Sequence, residues 1–143
     1  MKVTMLLADA VQAVDNKLYV LGGGWSITGP EPTPFGIALK IEVPWNEANR
    51  RHAWRLELLD PDGHPVQLAT AKPEGGGTIQ IGGDFEVGRP AGLAEGTPID
   101  LALAINSGPL PVPPGGRYVW ELSIDGKTSE DWRVAFSTRP ALG

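Results

Sequence analysis

The chain has 143 residues, enough for one domain with a sizeable core, and its 41% apolar and 20% charged residues are those of a folded globular protein. A net charge of −5 argues against a nucleic-acid partner, which needs a dense Lys/Arg surface, and zero cysteines exclude disulfides, thiolate metal sites and a cysteine nucleophile. The 19 Gly and 14 Pro fall between apolar runs and read as turns.

From the N-terminus, Lys2 to Val11 reads as a first strand. Its apolar part is too short for the roughly 7 to 15 residues of a signal-peptide core, and Asp9 sits where cleavage would occur. No stretch approaches the roughly 18 apolar residues of a membrane span, so the expected location is cytoplasmic and no membrane partner is expected. An Asp15-Asn16 turn leads into a second strand, Lys17 to Gly23. These two strands are apolar on both faces, through Met5, Leu6, Leu7 and Ala8 and then Leu18, Tyr19, Val20 and Leu21. One face can pack on a core; the other needs a loop, the opposite sheet or another chain, because large exposed apolar patches are uncommon on monomers. Leu7, Tyr19 and Leu21 are therefore candidates for a subunit interface.

Gly22-Gly23-Gly24 ends this strand and is followed by Trp25. Period-two alternation then places Phe35, Ile37, Leu39, Ile41 and Val43 on one face of a strand. Trp45 starts the Pro44 loop, which allows at most one helical turn before Arg50. Trp54, Leu56 and Leu58 form the next row, closed by an Asp60-Pro61-Asp62-Gly63 turn. That turn imitates a calcium loop, but Pro65 stands where the loop needs Gly and no Glu closes it. Further strands are expected over His64 to Thr70 and over Thr78 to Val87, where Gly82-Gly83 suggests a β-bulge. Gly75-Gly76-Gly77 lacks the Lys and helix of a phosphate cradle and reads as a loop.

Ile99, Leu101, Leu103 and Ile105 make another row. A stiff crossover loop, Asn106 to Gly116 with Pro111-Val112-Pro113-Pro114, leads to Tyr118, Trp120, Leu122 and Ile124, then an Asp125-Gly126 turn and a last strand with Trp132, Val134 and Phe136. Many short strands separated by such turns argue for an all-β, immunoglobulin-like antiparallel β-sandwich of about eight or nine strands over residues 1–138, with a loose tail at 139–143. Gly115-Gly116-Arg117-Tyr118 resembles a tyrosine corner, and Trp120 stands where antibody domains carry their second cysteine, with stacking near Trp54 expected.

The segments Leu6-Leu7-Ala8-Asp9, Lys17 to Trp25, Ile41 to Trp45, Arg55 to Leu58 and Pro113 to Tyr118 together resemble a family of small bacterial, mainly actinobacterial, proteins of unknown function. The resemblance spans most of the chain and implies a stand-alone bacterial domain, but no activity or site.

The chemistry-bearing residues are sparse. His52 and His64 flank separate strands without a spaced carboxylate and read as unrelated surface histidines, leaving no catalytic residue, no metal site and no cofactor. Trp25 and Trp45 lie outside the apolar rows, where they either plug the ends of the core or offer flat area to a ligand or partner. The expected function is a non-catalytic binding or assembly module, with an unknown protein partner or self-association. The alternative is a small-molecule or carbohydrate-binding domain using Trp25 and Trp45, a reading that one loop groove lined by both would favour.

Overall fold

The computed structural model describes residues 1–67 and 78–142. Among these residues ten strands form: β1 (Lys2–Ala8), β2 (Ala10–Val14), β3 (Lys17–Leu21), β4 (Ile27–Thr28), β5 (Phe35–Val43), β6 (His52–Leu59), β7 (Gln80–Phe85), β8 (Ile99–Ser107), β9 (Arg117–Ile124) and β10 (Arg133–Thr138). One 3-10 turn, Trp45–Glu47, fills the Pro44 loop. No helix among the described residues is long and apolar enough to cross a membrane. The strands form a three-stranded sheet β1-β5-β8, a five-stranded sheet β4-β10-β9-β6-β7 and the separate pair β2-β3.

The predicted rows become the core between the two larger sheets. Phe35, Ile37, Leu39, Ile41 and Val43 all turn inward from β5, and the register sets Leu7 and Ile105 on either side of Ile37. Leu56 and Leu58 of β6, Trp120 and Leu122 of β9 and Phe136 of β10 meet them from the other sheet. At about 25 cal/mol per Å² of apolar surface removed from water, this interleaved row is the main stabilising term.

The strand count exceeds the expected eight or nine for two reasons: β4 is a two-residue strand parallel to β10, and the expected Lys2–Val11 strand breaks at Asp9. The Asp9 amide donates to the Leu21 and Gly22 carbonyls, so the chain leaves β5 and pairs with β3 instead. The resulting β2–β3 hairpin lies over the outer face of the three-stranded sheet, where β2 packs on β5 and β8. That face is built from small residues, with Ala8 opposite Gly36 and Ala38 opposite Ala104, so a second layer of backbone can come close. Two asparagines fix it there. Asn106 accepts from the Val11 amide at 3.0 Å and donates to the Val11 carbonyl at 2.8 Å, and Asn16 donates to the Asp100 carbonyl and accepts from the Ala102 amide. The two-sided apolar pattern of the first strand is thus partly answered from within the chain: Met5 and Leu7 face the core, while Leu6 lies near Val20 and Gly23.

Two packing expectations are corrected. β7 runs opposite β6 in unbroken register, so Gly82-Gly83 is no bulge; Gly83 lies beneath the Trp54 indole, where a Cβ would come within 3.1 Å of Nε1. Trp54 faces Ile124 whereas Trp120 faces Leu58, four residues along the strand, so Trp120 stacks on Phe35 at 6.1 Å rather than near Trp54. The expected tail is anchored at its start, since the Arg139 amide donates to the Thr28 carbonyl and its guanidinium to the Gly29 carbonyl. The His64–Thr70 strand is described only to Gln67, which bridges Thr78, and Gly75-Gly76-Gly77 lies outside the described residues.

The Tyr118 hydroxyl donates to the Pro113 carbonyl at 3.0 Å, five residues upstream, the hydrogen bond of a tyrosine corner. Gly116 makes it possible, because a Cβ there would stand 2.6 Å from the hydroxyl. Thr138 also donates to the Pro113 carbonyl, so the acceptor keeps one partner if the phenol is lost. Tyr118→Phe should therefore destabilise by only about 1 kcal/mol in urea unfolding; an unchanged midpoint would remove any structural weight from the corner.

Candidate functional site

Three places merit description: the outer face of the β2–β3 hairpin, the Trp25 end of the sandwich and the surroundings of His52. The hairpin turn uses Asp15 and Asn16, both at positive φ, as the turn signal predicts. Alternation along the pair puts Val11 and Leu18 toward the protein and Val14, Tyr19 and Leu21 toward solvent. Leu21 is 70% exposed, Tyr19 55% and Val14 43%. Of the three interface candidates, Leu7 is fully buried in the core, because its strand belongs to the β1–β5 pair and not to the hairpin; Tyr19 and Leu21 remain together on the surface.

Trp25 and Trp45 do not share a groove. Trp25 lies by Phe35 at the start of β5 and Trp45 follows Val43 at its end, roughly 27 Å along a strand that rises about 3.4 Å per residue. Both are half-buried and pack against the core. The Arg89 guanidinium sits 4.5 Å above the Trp45 ring and donates to the Trp45 carbonyl, so this chain already stacks on that ring. Trp25 packs edge-on against Phe136 and lines a partly open apolar cleft with Trp120, Phe35 and Leu110.

His52 is not a surface residue. It is 2% exposed, stacked on Phe85, with Nδ1 at 2.7 Å from the Asp125 carboxylate and Nε2 at 2.8 Å from the Glu47 carbonyl. A carbonyl only accepts, so Nε2 carries a hydrogen, and the carboxylate draws a second one onto Nδ1. Burial favours the neutral ring, but the Asp125 and Glu47 hydrogen bonds and charges outweigh it and raise the pKa of His52 above 6.5. The same bond to His52, with help from the Ala53 amide, lowers that of Asp125. Neither ring nitrogen is free to take a substrate proton. The partner was hidden in the sequence because Asp125 stands 73 residues away, in a turn chosen for its Asp-Gly geometry. His64, by contrast, is exposed as expected.

Asp60, Asp62 and His64 offer ligand atoms within 4.8 Å of one another. Asp60 Oδ1 already accepts from the Asp62 and His64 amides, closing the predicted turn. Millimolar Ca²⁺ or Zn²⁺ is expected to leave the melting temperature unmoved; a rise of several degrees would show a site.

The model of a family of unknown function, DUF6941, matches residues 3–136, and the chain belongs to that family. No curated protein and no solved structure matches it.

Proposed function

We propose that this member of the DUF6941 family is a cytoplasmic, non-catalytic assembly module that associates with a second copy of itself through the β2–β3 hairpin. The observation that carries the reading is the exposed apolar strip of Val14, Tyr19 and Leu21 on a hairpin whose two asparagine clamps hold it rigidly against the sandwich. Among the described residues β3 pairs with β2 alone, so its other edge is open to strand addition. Its sequence, Lys17-Leu18-Tyr19-Val20-Leu21, is rich in strand-forming residues, and antiparallel β3–β3 pairing gives a closed, two-fold contact. The occupied nitrogens of His52 support the non-catalytic part. An immunoglobulin-like relationship is also supported, by the tyrosine corner and by a central β6–β9 pair. The separation of Trp25 from Trp45 and the Arg89 stack speak against a sugar platform built from both.

Wild-type protein should scatter light as a dimer at micromolar concentration. Leu21→Asp or Tyr19→Asp should return it to monomer with an unchanged circular dichroism spectrum, since a charge at either position is costly only where a partner excludes water. A wild type that stays monomeric at high concentration would sink the assembly reading.

A further inference from the structure

Protein interiors seldom leave a buried hydrogen-bond donor unpaired, and a buried Trp N–H normally finds an acceptor. Here two fail to do so. The Nε1 atoms of Trp25 and Trp120 are both buried without a partner among the described residues, and both rings line the same cleft. Trp120 is fully buried on β9, held by its stack on Phe35, while Trp25 is braced by Phe136. The cleft holds a cavity of about 30 Å³, lined also by Thr28 to Thr33 and by Leu110 and Val112 of the crossover loop.

The buried polar groups of its wall are already engaged, since the Thr28 and Gly29 carbonyls accept from Arg139, and the Thr138 hydroxyl donates to Pro113 while accepting from the Gly116 amide. Glu31 and Thr33 also line the cleft, but both are exposed to solvent. Away from these two exposed residues the site is therefore rich in free donors and poor in free acceptors, inside an apolar wall. A water molecule fits such a volume but brings two hydrogens that need acceptors of their own. Sugar hydroxyls have the same defect. An oxygen that only accepts, carried on an apolar body, has none.

We propose that this cleft is a binding site for small apolar molecules bearing a carbonyl oxygen, such as ketones, esters or lactones. The oxygen enters the cavity and accepts from the indole N–H groups, and the apolar body lies against Leu110, Val112 and Phe35. The site is independent of the hairpin face, which lies on the outer side of the other sheet.

The test is a titration of ¹⁵N-labelled protein with 2-pentanone into the millimolar range, following the indole N–H signals of the five tryptophans. The signals of Trp25 and Trp120 should move saturably while the other three stay. Binding of 2-pentanol, which adds a hydroxyl hydrogen, should be about tenfold weaker, and Trp25→Phe should cost the ketone about tenfold by removing one donor while keeping a ring in place. Leu110→Trp should fill the cleft and abolish the response, its unperturbed Trp54 and Trp132 signals showing that it is folded. Failure of either cleft signal to saturate, equal affinity for ketone and alcohol, or movement spread over all five tryptophans would overturn the proposal.

Discussion

Replacing His52 by Ala should cost about 3 kcal/mol, more than any surface substitution in this domain. The change leaves a cavity against Phe85 and strips partners from the Glu47 carbonyl and the Asp125 carboxylate together. The clamp holds three segments that are distant in sequence: the 3-10 turn through Glu47, the start of β6 through His52 and Ala53, and the β9–β10 connection through Asp125. Arg50, paired with Glu47, adds positive charge near Asp125.

The same side chain makes stability depend on pH. The folded pKa of His52 is raised above 6.5, so its contribution is complete below 6.5 and lost as pH rises through the raised value. The pKa of Asp125 is lowered from 3.8, so its contribution is present above 3.8 and lost as pH falls through the lowered value. Both describe one interaction, which is counted once; it is at full strength between these limits. Urea midpoints should therefore fall in the wild type as pH rises above 6.5. His52→Gln should flatten that fall, while His64→Gln, at an exposed site, should leave it intact. Equal pH slopes in the wild type and His52→Gln would show that the clamp carries no charge.

The fold was legible because strand alternation is a local signal. Phe35 to Val43, Ile99 to Ile105 and Tyr118 to Ile124 each announce their inward face, and Asp15-Asn16 and Asp125-Gly126 announce turns found at positive φ. Tyr118 was legible as well, since two glycines before a strand-opening Tyr have few other uses. What the sequence concealed depends on partners distant along the chain. An Asp-Gly turn looks the same whether or not its carboxylate meets a histidine on β6. A run of small outward residues on β5 and β8, Gly36, Ala38, Ala102 and Ala104, was the available sign that something lies over that sheet, but small residues also occur on bare faces. The unpaired indoles follow from the same limit, because satisfaction of a donor is a property of the packed structure.

That small-residue bed carries the second large effect. Gly36→Val should destabilise by about 2 to 3 kcal/mol, chiefly by lifting the hairpin off the sandwich. A Cβ at position 36 would stand 3.0 Å from Asn106 Oδ1, 3.1 Å from Val11 Cγ1 and 3.3 Å from the Val11 amide nitrogen. None of these groups can yield freely, because Asn106 is holding both backbone groups of Val11 and the branched side chain adds further bulk to the collision. The core beneath should persist, since Ile37 and Leu39 face the other way. The amides of Val11, held by Asn106, and of Ala102, held by Asn16, should then lose hydrogen-exchange protection, while that of Leu122, bonded to the Trp132 carbonyl, keeps it. Because the apolar strip rides on the hairpin, the same variant should also weaken self-association without a charge at the contact. A folded Gly36→Val protein with wild-type protection at Val11 would mean that the hairpin is not seated on this bed.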